Sequence, residues 1–436
     1  MIRSVLTFAL VCLGTAALAR FDVQEIETEA GLSVWLVEDH SIPIVTLNAA
    51  FLGGSSLDPV GKEGAAVLAM GLLEEGSGDL DAVAFARARD GLASRFGFGA
   101  YRDSVSVSLR TLTENLDASA ELLHGAIHDP RLDPVAVERV RGQMLAGARS
   151  EETDPGAIAG KALASMAFPD HPYGRESDGT VESIRSLTTD DLRAALDRVL
   201  VRDRAFISIV GDVTAEEASA LVDRLFADLP EATTPLPERA EIALTGGVTV
   251  IDLDVPQSLA VFGQEGLDRD DPDFFPAFVM NHILGGGGFS SRLTQEVRVE
   301  RGLTYSIGTS LSPRRYGPVL TGSVASGNDT VAEAIDVVRA EWARMAEDGV
   351  TEAELTAAKQ YLTGAYPLRF DSAGRIAGIL VGLQARGLEQ DYINTRNDKV
   401  EAVTVDDISR VAARLLDPER LHFVVVGRPD GLAPTQ

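Results

Sequence analysis

The cleanest polarity pattern in the chain is SVSVSL, residues 104–109, where valine or leucine alternates with serine. A period of two puts Val105, Val107 and Leu109 on one face, which predicts a half-buried strand. VWLVEDHSIPIVTLNAAF and TVIDLDVPQSLAVFGQEG each set two apolar runs around a short polar break, and each reads as a hairpin. TYSIGTSLSPRRYGPVLTGSVAS adds further strands in the second half. Helical spacing takes over in TENLDASAELLHGAIHDPRLDPVAVERVRGQMLAG and in TVAEAIDVVRAEWARMAEDGVTEAELTAAKQYLTG. Each reads as a long helix, a turn with an acidic N-cap, then a second helix. EGAAVLAMGLLEEGSG, residues 63–78, predicts an apolar helix over 63–75, and PDFFPAFVMNHILGG predicts its counterpart downstream. Both are apolar enough to belong to a core.

The two halves of the chain match. LTTDDLRAAL followed by FISIVGDV returns as VTVDDISRVA followed by FVVVGRPD. Asp190 and Asp406 are 216 residues apart, and so are Gly211 and Gly427. Equal offsets at both places identify an internal duplication. Proline-rich PEATTPLPERA, residues 230–240, separates the copies and reads as a linker. Strands come before and after helix pairs rather than alternating with them. That predicts an α+β fold made twice: two homologous domains, each a mostly antiparallel sheet with helices packed on one face. The expected boundaries are 20–230, a linker over 231–245, and 246–430. Two facing domains would leave a cleft.

A chain of 436 residues is long for one core, in keeping with two domains. Its net charge of −27 repels nucleic acid and anionic membrane surfaces, and favours solubility and basic partners. MIRSVLTFALVCLGTAALA has one cation, Arg3, then an apolar run and the small-residue end Ala17-Leu18-Ala19. This is the pattern of a secretory signal over 1–19, with cleavage expected before Arg20 and a periplasmic location for the mature chain. The run is too short for a permanent membrane span. The single cysteine, Cys12, lies inside it, so thiol and disulfide chemistry are not expected downstream.

Three stretches and the duplication itself carry a family resemblance: GGSSLDPVGKEGAA, FPDHPYGRESDGTVESIRSLTTDDL and LGGGGFSSRLTQEVRVERGLTYS. Over nearly all of residues 22 to 430 the chain resembles the insulinase/pitrilysin-type metallopeptidases, including mitochondrial processing peptidase and the core proteins of the respiratory bc1 complex. The resemblance implies a duplicated α/β roll. It also implies an inverted zinc motif, His-x-x-Glu-His, on the first helix, with a third glutamate ligand some 75 residues on. This sequence departs at each of these places. Val67 stands at the first histidine, Met70 at the glutamate and Gly71 at the second histidine, and no carboxylate falls at Ala146 to Ala148. None of these side chains replaces imidazole on zinc. The metal is therefore expected in a partner, and no cofactor in this chain.

What the family keeps here is an arginine and a tyrosine. Arg301 and Tyr305 stand in EVRVERGLTYS, and the resemblance implies that they contact substrate near the scissile bond. A guanidinium or phenol aimed at a developing oxyanion stabilises it. The run Gly285, Gly286, Gly287, Gly288 lacks the lysine of a phosphate loop and reads as a helix end and hinge, and the resemblance, in which a longer glycine-rich segment of a metal-free subunit serves substrate handling, implies a substrate role for it. His124 and His128 have metal-type spacing but no third ligand, while His171, His282 and His422 read as structural. The expectation is the zinc-lacking subunit of an exported heterodimer. A homologous zinc-bearing subunit would cleave peptides with Arg301 and Tyr305 contributed from this chain. The alternative is an inactive scaffold or peptide-binding protein of the same fold.

Overall fold

The structure, a computed structural model, describes residues 21–435. The signal segment expected over 1–19 lies outside the described residues. No helix among the described residues is long and apolar enough to cross a membrane.

Two mixed sheets organise the chain. The first has six strands, in the spatial order Gln24–Glu27, Ser33–Glu38, Ala205–Gly211, Ile44–Leu52, Ser104–Leu112 and Arg95–Ala100. The second has five, in the order Thr304–Ser312, Val319–Gly327, Gln257–Glu265, His422–Gly427 and Gly247–Asp252. In both, the last strand of the half inserts between two early ones. The expected hairpins are therefore absent. Ala205–Gly211 separates Ser33–Glu38 from Ile44–Leu52, pairing parallel with the first and antiparallel with the second. His422–Gly427 divides Gly247–Asp252 from Gln257–Glu265 in the same way.

Burial explains the insertion. HFVVVG is buried at every position, and ISIVG within the first copy likewise. Such a run has no solvent face and suits only a central strand covered on both sides. The turn signals between the earlier runs were real, but they join strands that are next-nearest neighbours.

The helix pairs form as expected, over Leu116–His128 with Pro134–Glu151 and over Val331–Asp348 with Glu352–Ala365. One detail differs. The cap of Glu352–Ala365 is Thr351, whose hydroxyl accepts from the Glu354 amide while Glu354 reaches back. The duplication also shows in the caps: Thr188 and Thr404 both close capping boxes, with Asp191 and Asp407.

Each sheet has helices of its own half on one face and a single helix of the other half on the opposite face. Ala373–Gln384 crosses to the first sheet and Pro155–Ala167 to the second. The alternation of strand residues makes the two-sided cover visible. Ile207 and Ile209 belong to the core beneath the first sheet's own helices, whereas Val210 and Trp35 pack with Ala377 and Leu380. Phe423 and Val425 face one way in the second sheet, while Val424 and Val426 meet Ala159 and Leu163. Polar contacts fix the crossing helix: Ser208 donates to the Ala377 carbonyl at 2.7 Å and Gln384 to that of Ile207 at 2.8 Å.

Leu380 is wholly buried in this exchanged contact. Leu380→Ala is expected to lower unfolding stability by about 2–5 kcal/mol. Urea denaturation followed by far-UV circular dichroism and tryptophan fluorescence checks this. Because the helix tethers one half to the other, both signals should shift together.

Candidate functional site

The helix where a zinc motif would stand is short. It runs over Ala65–Gly71 rather than 63–75, and Leu72 and Leu73 continue as buried turn residues. Its start is held by Asp58, a buried carboxylate that accepts from the Gly64 amide at 3.1 Å and the Ala66 amide at 3.2 Å. The helix dipole favours a negative group there, and Arg198 stands 3.9 Å away. Burial outweighs them and pushes the carboxyl up to about 7. Behind Asp58 lies the FPDHPYGRESDGT segment. Arg175 donates to the Asp58 carbonyl at 3.0 Å, and Ser183 to that of Glu63 at 2.9 Å. Backbones touch here: a Cβ on Gly179 would come within 2.4 Å of the Glu63 carbonyl oxygen. Two of the stretches that carry the resemblance thus form one brace. The position of Asp58, a few residues before an apolar helix, was the available signal for it.

On this braced helix Val67 is half-buried and Gly71 exposed, so positions four apart share an open face. Met70 points the other way, into the core. Gly71 approaches Val140 of the helix Pro134–Glu151, on which residues 146 and 147 are exposed and carry no carboxylate. These residues do not fit a zinc ion. No group of three His, Cys, Asp or Glu side chains among the described residues is placed to hold a metal. The strand Arg95–Ala100 lies beside the same helix and is the outer strand of its sheet, with one row of backbone groups unpaired.

The glycine run and the Arg/Tyr motif form one segment in the second half. Phe274–Asn281 is helical and passes into a wider, π-helical turn over His282–Gly286. Gly285 is a packing glycine: a Cβ there would lie 2.5 Å from the Thr309 hydroxyl oxygen. Gly288 has the left-handed backbone, φ 59°, and an open surround. Gly286 and Gly287 are close-packed against Asn281 and His282. Arg301 follows a second π-helical stretch, Thr294–Glu300, and its Nη1 pairs with Glu296 at 2.6 Å. Tyr305 sits in a β-bulge: Thr304 pairs with Ser326 and Ser306 with Ala325, leaving Tyr305 without a partner. The bulge turns its ring out of the sheet, where it is 81% exposed. Arg298, which the sequence did not single out, stacks on Tyr305 at 4.4 Å and on the exposed Phe289 at 4.7 Å. Arg301 and Tyr305 thus lean on different neighbours. The glycine run is joined to the tyrosine through Phe289 and Arg298.

Between the halves lies a cavity of about 1100 Å³, bounded by the serine face of Ser104–Leu112 on one side and by Leu311, Arg314 and Arg315 on the other. The six histidines are accounted for elsewhere. His124 and His128 stack at 4.1 Å, and His128 holds the Leu225 carbonyl at 2.9 Å. His171 accepts from the Tyr173 amide at 3.1 Å, and its other nitrogen donates to the Glu238 carbonyl. His422 is buried between Gly246 and Thr249, His282 stacks on Tyr361, and His40 pairs with Asp212.

The fold is shared with known proteins. Residues 186–362 match the family profile described as "Peptidase M16 inactive domain". The chain is similar to the Helicobacter pylori "Non-peptidase homolog YmxG", at 26% identity over 404 residues, 92% of this chain and 93% of that one. A solved Pseudomonas fluorescens structure of a "peptidase M16 inactive domain" superposes with a TM-score of 0.88 at 29% identity, covering 95% of this chain and 100% of the other. The beta subunit of the mitochondrial-processing peptidase of Lentinula edodes is 23% identical over 348 residues, 76% of this chain and 74% of that one.

The Asp58 brace has a pH signature. Its carboxyl is raised in the folded state, so its contribution to stability is complete below the unfolded value near 4 and is lost as pH rises through about 7. From pH 5 to pH 8 the wild-type chain should lose about 2–3 kcal/mol more stability than Asp58→Asn, in which nothing titrates there. Paired urea titrations of the two proteins across that range measure the difference. Parallel pH profiles would mean that Asp58 is ionised throughout.

Proposed function

We propose that this chain, an insulinase-like member of the M16 peptidase family without the zinc-ligand residues, is the zinc-free subunit of an exported two-chain peptidase. The observation that carries the reading is the contrast between its two motifs. Val67, Met70 and Gly71 can neither hold a metal nor move a proton, while a bulge projects Tyr305 into solvent, where Arg298 is its one side-chain partner among the described residues. A phenol held out of the sheet but unused by the fold is suited to a ligand. In the proposed complex the homologous partner carries zinc and the base. Arg301 and Tyr305 of this chain meet the substrate backbone and stabilise charge on its carbonyl oxygen. The outer strands Arg95–Ala100 and Thr304–Ser312, each with one edge unpaired, offer a peptide the chance to add as a further strand. The beta subunit of mitochondrial-processing peptidase is, by its name, one subunit of a larger enzyme, which supports pairing between chains of this fold. Export rests on the signal pattern at residues 1–19.

A second reading draws on the similarity to a non-peptidase homologue: the fold serves as an inactive scaffold and the tyrosine is a relic. The two readings part in one experiment. The chain is copurified with a homologous subunit that carries His-x-x-Glu-His, and hydrolysis of a peptide mixture is measured. Tyr305→Phe should lower kcat on the order of a hundredfold, with the amount of complex on size-exclusion chromatography unchanged. Arg301→Ala should act in the same direction. A complex whose rate ignores both substitutions is a scaffolded enzyme, and the donor role is then wrong.

A further inference from the structure

The cleft between the halves continues into a second cavity of about 640 Å³, with which it shares Arg269, Gly378, Gly382, Arg386 and Leu388. Its wall is unusual for this protein. The chain carries 66 acidic and 39 basic residues, yet five arginines and no aspartate or glutamate line this cavity. Among the described residues, Arg375 alone of the five is in an ion pair, with Asp371. Arg269, Arg369, Arg386 and Arg396 have no carboxylate partner among the described residues.

Two of these cations are drawn well in from solvent. Arg396 is 8% exposed and is held by the Leu362 carbonyl and by the faces of Phe278 and Tyr366. Arg269 lies 3.9 Å over Phe274 and 5.2 Å from the ring of Phe275, with one nitrogen on the Tyr392 hydroxyl. Its Nη1 is buried and has no acceptor. Desolvation and the neighbouring guanidinium of Arg386 both weigh against its charge. Aromatic faces offset part of the cost of keeping such cations. They do not supply an acceptor for Arg269 Nη1, so part of the strong, planar hydrogen-bonding capacity of that guanidinium is left over. Arg386 stands at the shared rim, engaged only by the Gly382 carbonyl at 2.7 Å.

We propose that this cavity binds a carboxylate attached to an aromatic body, with the carboxylate against Arg386 and Arg269 and the ring among Phe274, Phe275 and Tyr392. Arginine forks match a carboxylate, and the apolar wall recognises the ring; neither feature alone would call for the other. The ligand has two sources, a free aromatic acid or the C-terminus of a peptide lying in the adjoining cleft. The site does not depend on pairing with a zinc subunit.

Isothermal titration on the purified mature chain tests this with N-acetyl-phenylalanine, its amide, and a hexapeptide ending in phenylalanine with a free or an amidated C-terminus. The acid should bind at least about tenfold more tightly than the amide, the worth of a charge-assisted hydrogen bond. Arg386→Gln, at an exposed position, should weaken the acid by a similar factor and leave the amide and the melting temperature unchanged. Tighter binding of the free-ended peptide than of the acetylated amino acid identifies a chain terminus as the ligand, and the reverse order a free acid. Equal affinity for acid and amide, absence of binding by both, or displacement of the acid by equimolar inorganic phosphate would overturn the proposal.

Discussion

The last strand of each half is buried on both faces, and much of the architecture follows from covering it. A sheet with helices on one side only would leave Val210 in one copy and Val424 and Val426 in the other against water. Each buried side chain of this kind is worth roughly 1.5–3 kcal/mol when fully covered. The cover comes from the opposite half, as Ala373–Gln384 on the first sheet and Pro155–Ala167 on the second. Because the exchange is mutual, neither sheet completes its core alone. The relative placement of the halves is then set by core packing rather than by a surface contact between finished domains.

The cleft inherits its shape from that exchange. The crossing helix Ala373–Gln384 contributes Gly378, Val381 and Gly382 to the wall of the central cavity, so the element that closes one core also lines the space. A second tie sits at FPDHPYG. The Tyr173 hydroxyl donates to Asp103 at 2.6 Å in the first half and accepts from the Tyr316 amide at 3.3 Å in the second. Arg102 and Arg314 approach the same ring from either half. This aromatic hub and the Asp58 brace use adjacent parts of one sequence stretch. The junction between halves and the start of the zinc-type helix are therefore mechanically one object, which fixes that helix relative to the cleft even though it no longer holds a metal.

Much of this was legible in the sequence, for identifiable reasons. The duplication showed because capping chemistry and the glycine after the last strand recur at equal spacing. The helix pairs showed because amphipathic period and caps are local. The strand order did not show. Turn residues at HSIP and DVPQ report where the chain breaks, not which strand fills the gap, and the filling strand lies more than 150 residues away in each half. The only clue was the unbroken apolar run of FVVVG, a mark of two-sided burial rather than of a hairpin. Tyr305 was legible as a residue, but its exposure was not, because a bulge is set by the register in which Thr304 and Ser306 meet the next strand, Val319–Gly327, and no turn residue reports that register. The arginine and aromatic cavity was invisible because it is tertiary: Arg269 and the phenylalanines after it lie far in sequence from Arg386 and Arg396 and meet them only through packing.

The state of the zinc-type helix bears on how easily its chemistry could return. Gly71 is exposed and Val67 half-buried, so side chains there could still reach outward. Met70 is different. It is buried in the main core of the first half, among the largest fully covered side chains of the protein. A carboxylate at that place would lose its hydration without an evident cation to meet it, a cost of several kcal/mol unless it took up a proton. A protonated acid cannot serve as a base. Restoring two imidazoles would therefore rebuild part of a ligand set but not the proton-transfer group between them. At position 70 the absence of chemistry is coupled to packing density, and the helix has been committed to holding the fold.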